Sequence, residues 1–400
     1  MRLNASFVPL FLAVVVATKP ILVDRSPISF PLIKKLNVTS GHNLVNAGRQ
    51  RVQKLKAQAL KKEGKVVDES LIDEPVTNEA VIYSADIGVG ADATSYSLIV
   101  DTGSSNTWVG AGKEYANSST SKDTGSGVSV SYGSGYFSGE EYTDQVTITD
   151  ELVLDNQSIG VASTASGFNG YDGILGIGPT TLTQGTLESS NEEIPTVVDT
   201  AFEQGLIDDK IISVYFQPTT QEEDQNGQLT WGGVDDSKHT GDIKYVPVTS
   251  QSPAGSYWGT VTILDTNAGI TDTGTTLLYI ASDAFEAYAN ATGGQPDNSV
   301  GLLSITDDQF ASLQSLFFKI GDDTWEFTAN AQIWPRALNS AIGGSDDAIY
   351  LIVADIGTPS GQGLDFINGY AFLERFYTVY DSSKNQIGFA TTEYTNAETN

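Results

Sequence analysis

The chain has 400 residues, 40% of them hydrophobic, with 40 Gly, no Cys and two His, His42 and His239. That length supports two domains with sizeable cores. The missing thiols exclude a disulfide scaffold, a Cys-ligated zinc site and thiol catalysis, and two isolated His argue against a His-based triad or a transition-metal site. The charge is divided: residues 1–65 carry 12 Lys+Arg and 2 Asp+Glu, the rest 9 and 48, so a segment of +10 precedes a body of −39 in a total of −29. Such a body repels nucleic acid and anionic membrane, and leaves carboxylates for acid–base chemistry.

After Arg2 comes the apolar run Phe7–Ala17. It has the length of a secretory signal core and is too short to span a bilayer, so residues 1–18 are expected to be a signal peptide and the protein to be secreted. No apolar stretch closes the C-terminus, which gives no sign of a membrane anchor. Beyond the expected signal peptide four Asn-x-Ser/Thr acceptors, at Asn37, Asn117, Asn156 and Asn290, are compatible with export but common by chance. Residues 43–63 predict a basic amphipathic helix with Val52, Leu55 and Ala59 on one face and Arg and Lys on the others. Lying between a signal and an acidic body, it reads as a cationic cover ending near Val66–Pro75, its attraction weakened when acid protonates the body.

The texture then becomes short alternating runs punctuated by Gly, Ser, Asn and Asp: "AVIYSADIGVG", "SYSLIV", "GVSVSYGSG", "DQVTITD". These predict strands joined by tight turns, an all-β protein with a few short helices. The helices are expected over Ile194–Gly205, with Pro in the first turn, over Ser282–Gly294, and over Thr306–Phe317, where Thr306 and Gln309 have capping-box spacing. Gln217–Gln228 reads as a solvated loop near a lobe boundary.

One pattern occurs twice. "SLIVDTGSS" ends an apolar run in Asp101-Thr102-Gly103, and "GITDTGTT" does the same in Asp272-Thr273-Gly274, 171 positions later. Each copy is followed by a strand-like run ending in Gly, Ile174-Leu175-Gly176 and Ile367-Asn368-Gly369. A single Asp-Thr-Gly would be a surface turn; two with the same surroundings argue for a duplicated lobe. If the lobes pack about an approximate two-fold axis, Asp101 and Asp272 face each other. Two carboxylates in contact share one proton, because both cannot ionise cheaply. The ionised member can take a proton from water, and the protonated member can hydrogen-bond a substrate carbonyl. Gly103 and Gly274 would let backbone amides approach the carboxylates. Thr102 and Thr273 could bond across the axis, and Ser104 and Thr275 could orient the outer oxygens.

These stretches, together with "YGSGYFSGEEYTD", "YDGILGIGP", "TANAQIWPR" and "GLDFINGYAFLERFYTVYD", resemble secreted fungal aspartic endopeptidases of the pepsin family, the polyporopepsin group in particular, from about Val76 to the C-terminus. The resemblance implies a bilobal pepsin-like fold with pseudo-two-fold symmetry. It implies an N-terminal lobe over 76–240 and a C-terminal lobe over 241–400, preceded by a basic prosegment over 19–75. Proton sharing is the established behaviour of the pepsin dyad and is carried over with the family. It further implies that Tyr132 is a flap tyrosine, that the amides of Gly133 and Ser134 hold peptide backbone, and that Trp108 supports Tyr132. Asp172 and Ile174 align with residues lining a specificity pocket. Gly103, Gly274 and Thr275 are expected to contact substrate. The expected partners are protein and peptide substrates, the chain's own prosegment as intramolecular inhibitor, and pepstatin-like inhibitors, for a monomer using no cofactor and no metal. Between "YWG" (Tyr257–Gly259) and Asp272 the chain is shorter than family members usually are. The alternative it raises is a pepsin-like protein that binds without cutting. An acidic calcium-binding or adhesion protein would explain the charge and strands but not the paired motifs, and its acidic runs lack calcium-loop spacing.

Overall fold

The computed structural model describes residues 25–65, 80–132, 135–261 and 267–400. The expected signal peptide and the end of the cover at Val66–Pro75 lie outside the described residues. In chain order the first elements are β1 (Ile28–Asn37), α1 (Gly41–Lys62), β2 (Ala80–Val89), β3 (Thr94–Asp101), β4 (Trp108–Val109), β5 (Lys122–Tyr132), β6 (Gly135–Thr149), β7 (Leu152–Ser166) and β8 (Gly173–Gly176). Next come α2 (Val197–Glu203), β9 (Ile211–Phe216), β10 (Glu223–Trp231), β11 (Lys244–Pro247), β12 (Gly259–Val261), β13 (Ala268–Thr271), β14 (Leu278–Ile280), α3 (Ser282–Thr292), β15 (Gln295–Pro296) and β16 (Leu303–Ile305). The chain closes with α4 (Asp307–Ala311), β17 (Leu316–Ile320), β18 (Asp323–Phe327), β19 (Ile349–Leu351), β20 (Val353–Asp355), β21 (Phe366–Asn368), α5 (Tyr370–Leu373), β22 (Phe376–Asp381) and β23 (Gln386–Thr391).

The fold is mainly β and bilobal. Thirteen strands form one sheet in the order β11-β23-β22-β9-β10-β1-β2-β3-β8-β4-β7-β6-β5, so β1 is an interior strand, antiparallel to β10 on one side and β2 on the other. A five-stranded sheet, β12-β13-β21-β14-β20, carries the second Asp-Thr-Gly copy, with a three-stranded sheet and the β17–β18 hairpin beside it. Period-two burial explains the strands: in β3 the side chains of Tyr96, Leu98 and Val100 all enter the main core. A smaller cluster, with Trp108, Val128, Tyr132, Phe137, Phe168 and Ile174, underlies the β5–β6 hairpin.

Helix α1 starts on Ser40, whose Oγ accepts a hydrogen bond from Asn43 N at 3.1 Å. Its face of Val52, Leu55 and Ala59 is buried as expected, Leu44 with it, but so are Arg51 and Lys54, which the sequence places on the polar side. The helix is embedded between the lobes. Gln58 Nε2 donates to Ser131 O of β5. Arg49 Nε donates to Asp355 O at 2.9 Å and Lys56 Nζ to Thr358 Oγ1 at 2.6 Å. From the body, Tyr257 Oη donates to Leu55 O at 2.8 Å and Tyr279 Oη to Val45 O at 3.0 Å.

Three expected elements differ. The helix expected from Ile194 starts at Val197, because the Thr196–Asp199 capping box fixes its first turn and leaves Pro195 outside. The Thr306–Gln309 capping box forms, but α4 stops at Ala311, and Leu316–Ile320 pairs with Asp323–Phe327 as a hairpin. The polar stretch Gln217–Gln228 is strand from Glu223, because β1 supplies a partner, Leu32 opposite Gly227 and Lys34 opposite Asp224. Helix α3 ends as expected, with Gly293 in the left-handed region at φ 70°.

Candidate active site

The two repeats have the same geometry. Strand β3 runs parallel to β8, pairing Val100 with Leu175 and Asp101 with Gly176, and Ile177 N donates to Asp101 O at 2.9 Å. Strand β13 runs parallel to β21, pairing Thr271 with Asn368, and Asp272 N donates to Asn368 O at 3.1 Å. Each Asp-Thr-Gly loop then folds over the Gly that ends the neighbouring strand. A Cβ at Gly176 would sit 2.5 Å from Ser105 C, and one at Gly369 would sit 2.5 Å from Thr275 O. That crowding is the physical reason both trailing runs end in glycine.

The loops meet at their threonines. Thr102 N donates to Thr273 Oγ1 and Thr273 N to Thr102 Oγ1, each at 3.0 Å, and Thr273 Oγ1 donates to Val100 O at 2.9 Å. All of these atoms are buried, so the reciprocal pair fixes the two loops against each other. Each carboxylate is held in the same way. Asp101 accepts from Gly103 N at 2.9 Å and from Ser104 Oγ at 2.6 Å; Asp272 accepts from Gly274 N at 3.1 Å and from Thr275 Oγ1 at 2.5 Å. A Cβ at Gly103 would come 2.8 Å from an Asp272 oxygen, and one at Gly274 would come 2.8 Å from an Asp101 oxygen. Both glycines are therefore required by the closeness of the opposite carboxylate.

Between the carboxylates lies Arg51 of α1. Its Nη2 donates to Asp101 Oδ1 at 2.6 Å and to Asp272 Oδ1 at 2.7 Å, and its Nε donates to Asp272 Oδ2 at 2.6 Å. The two inner oxygens thus face one guanidinium nitrogen. Burial pushes the Asp272 carboxyl up, but the Arg51 charge and its hydrogen bonds, with Thr275 and the Gly274 amide, outweigh burial and hold it below its ordinary value of 3.8. Burial works against the Arg51 charge as well; the two carboxylates reverse that and raise its pKa. With a cation between them, the carboxylates need no shared proton.

Tyr132 ends β5 over this centre and is buried. Burial, then the Asp101 charge, keeps its phenol protonated far above its ordinary range. Trp108 lies beside it, ring centroids 6.2 Å apart, and among the described residues neither the indole N–H nor the phenol oxygen makes a hydrogen bond of good geometry, although Trp108 is close enough to oppose the rise in the phenol's pKa. Gly133 and Ser134 lie outside the described residues. Ile174 is buried in the cluster with Trp108 and Tyr132. Asp172 is occupied structurally, its Oδ2 accepting from Ser97 N at 2.9 Å. On either side of the short segment before Asp272, β12 pairs antiparallel with β13 from Gly259–Ile270 to Val261–Ala268, and residues 262–266 lie outside the described residues.

Two buried cations, one in the site and one beneath it in the sheet, were not singled out from the sequence. Arg51 is one of several cations on an amphipathic helix, and nothing local marks it as the one pointing inward. Lys34 is the other: it is fully buried on β1, its Nζ 3.1 Å from Glu374 Oε1 and 4.9 Å from the centre of the Tyr370 ring.

The family model "Eukaryotic aspartyl protease" matches residues 82–392. The chain is 57% identical over 336 residues to polyporopepsin of Irpex lacteus, covering 82% of this chain and 98% of that protein. It is 28% identical over 408 residues to gastricsin of Cavia porcellus, covering 92% and 96%. The crystal structure of the aspartic proteinase from Irpex lacteus superposes with a TM-score of 0.77 at 57% identity, over 80% of this chain and 96% of that one. Two matched Asp-Thr-Gly loops locked threonine to threonine are thus found in a chain that belongs to the eukaryotic aspartyl proteases and is an aspartic-type endopeptidase.

Proposed function

We propose that the protein is a secreted endopeptidase made as a zymogen, acting on proteins and peptides at acidic pH, with Asp101 and Asp272 as its catalytic pair. The observation that carries the reading is the Arg51 clamp on both carboxylates. A cation donated by the chain's own N-terminal helix occupies the place where water and the scissile carbonyl would react. On this reading residues 1–18 are a signal, 19–75 an inhibitory prosegment, and 76–240 and 241–400 the two lobes of a monomer. The match to polyporopepsin takes in 98% of that protein but 82% of this chain, in keeping with part of the chain lying outside the enzyme proper.

Acid releases the clamp. A carboxylate whose pKa is depressed in the folded state contributes stability above its unfolded value, and that contribution is lost as pH falls through the folded one. Asp272 is such a group, so its hold on Arg51 is complete above its ordinary value of 3.8 and is lost only as pH falls further, through the depressed value of the folded state. Once Arg51 leaves, two carboxylates around one centre keep a single proton between them. The ionised member removes a proton from a water molecule as the water oxygen attacks the peptide carbonyl carbon. The protonated member hydrogen-bonds the carbonyl oxygen and stabilises the developing charge. Proton transfer to the amide nitrogen of the tetrahedral intermediate then breaks the C–N bond, with no acyl-enzyme. In this scheme Thr102, Thr273 and Ser104 hold the pair rigid and Trp108 supports Tyr132. Gly103, Gly274, Thr275, Ile174, Tyr132 and the amides of Gly133 and Ser134 contact substrate, with the peptide added as a strand beneath the flap.

The test is to acidify the purified precursor. Loss of mass corresponding to cleavage near residues 66–80, with pepstatin-sensitive digestion of added protein, is the expected result. An acidified chain that neither shortens nor digests protein refutes the zymogen reading and favours the non-cutting binder.

A further inference from the structure

We propose that residues 184–191 form a specificity wall of the substrate cleft and that Glu188 selects peptides carrying Lys or Arg at one position away from the bond cleaved. The inference deepens the endopeptidase reading of that cleft and rests on it.

Strand β5 is the outermost strand of the thirteen-stranded sheet. An open edge of that kind pairs readily with other chains. Part of it is already covered. Val128 bridges antiparallel to Leu187, Ser129 N donates to Thr186 O at 3.0 Å, and Glu188 N donates to Gly127 O at 2.8 Å. Two side-chain bonds fasten the same segment: Ser126 Oγ lies 2.5 Å from Ser189 Oγ, and Asn106 Nδ2 donates to Thr186 Oγ1 at 3.0 Å. Asn106 belongs to the loop that begins at Asp101, so the wall is tied both to the hairpin above the cleft and to the catalytic loop.

The wall faces a cavity of about 690 Å³ that α1 leaves unfilled. On the helix side its charged lining groups are all cations, Arg51, Lys54, Lys61 and Lys62; on the body side they are Asp101 and Glu188 alone. Glu188 is exposed and stands over Gly127, where a Cβ would come 2.6 Å from its carboxyl carbon. Among the described residues its carboxylate has no hydrogen-bond or ion-pair partner. When the helix departs, Asp101 is engaged at the reacting bond, and Glu188 is the remaining charge on that side. A peptide lying extended under β5 turns alternate side chains toward the wall. A cationic side chain at the facing position takes up the unpaired carboxylate; an anionic one is repelled. Because the backbone bonds already fix Glu188, little ordering cost opposes the pairing.

The experiment uses the matured enzyme at about pH 5.5, acidic yet above the ordinary carboxylate range, and a set of peptides of one parent sequence, with Lys, Gln or Glu placed at each position in turn, read as kcat/KM. Wild type is expected to prefer Lys over Glu roughly five-fold at one position, the scale of an exposed ion pair. Glu188→Gln should bring that ratio near one, and Glu188→Lys should invert it. If Glu188→Lys fails to fold, Glu188→Gln alone decides. A Lys/Glu ratio in the variants equal to that of wild type at every position overturns the proposal. Failure of the wild type to cut any peptide overturns the endopeptidase reading itself and is distinct from an unchanged ratio.

Discussion

Glu141 offers a sharp test of why this protein should prefer acid. It lies on β6 opposite Gly160 of β7 and is 3% exposed. Its Oε1 accepts from Ser158 Oγ at 2.6 Å, while among the described residues Oε2 is buried with no partner and no cation acts on it to hold a charge. Burial therefore pushes its pKa from 4.5 to about 7, against a smaller opposing effect of the Ser158 hydrogen bond. The unfolded chain ionises this carboxyl near pH 4.5; the folded chain keeps it protonated until about 7. Stability from this group is complete below pH 4.5 and is lost as pH rises toward 7, by about 3 kcal/mol at roughly 1.4 kcal/mol per pH unit. Glu141→Gln cannot titrate. Its amide nitrogen meets the same unpartnered space at a cost of about 1–3 kcal/mol at every pH, so the slope carries the information and the absolute stability does not. Urea unfolding at pH 4, 5, 6 and 7, with both proteins also carrying Asp272→Asn to prevent self-digestion, should show the parent losing about 3 kcal/mol more than the variant across the range. Parallel pH profiles would refute the reasoning.

Arg51→Gln removes the clamp and leaves two buried carboxylates without their cation, a loss of about 3–5 kcal/mol; the precursor should convert at higher pH and at least a hundred-fold faster, measured as precursor half-life at pH 5, and an unchanged half-life would place the latch elsewhere. Thr102→Val and Thr273→Val each strip partners from buried amides and should lower stability by about 1–3 kcal/mol and reduce kcat with little change in KM; a change in KM alone would contradict a positioning role. Asp101→Asn and Asp272→Asn should each abolish acid proteolysis of added substrate, and residual activity equal to the parent in either would remove that residue from the mechanism. Trp108→Phe is expected to lower kcat/KM of the matured enzyme while the stability of the intact chain falls by no more than about 1 kcal/mol, because among the described residues the indole N–H makes no hydrogen bond of good geometry.

The parts of this protein legible in sequence are those whose cause is local. Each Asp-Thr-Gly loop needs its glycine and its hydroxyls wherever it occurs, so the motif and the trailing glycines, Gly176 and Gly369, are visible in the linear order. The Thr306–Gln309 capping box is also local and forms as expected. The chain beyond that short helix depends on partners: Leu316–Ile320 is strand because Asp323–Phe327 is there to pair with it, and its Phe and Ile residues suit that pairing better than the helix the cap suggested. Residues 223–228 are polar and look like loop, yet they form strand because β1 lies alongside. Arg51 shows the same limit at the site. A helical wheel assigns charges to water, and only the placement of α1 between the lobes turns one of them toward two carboxylates far along the chain.

Strand β1 has a consequence that outlasts it. Glu374 sits among Lys34 on β1, Tyr83 on β2, Tyr370 on α5 and its neighbour Arg375, which is itself engaged with the carbonyls of Tyr394 and Ala397. Burial already raises its pKa even with Lys34 in place. After Lys65 the sequence offers no Lys or Arg until Lys113, so nothing just downstream of the proposed cut can supply a replacement ammonium side chain. Trimming the N-terminus would thus remove a salt link from the sheet and push the Glu374 carboxyl further up, with Arg375 left as its neighbouring cation. Maturation would then burn a bridge: the shortened enzyme, returned to pH 7, should inactivate with a shorter half-life than the intact chain, trading tolerance of neutral surroundings for commitment to acid ones.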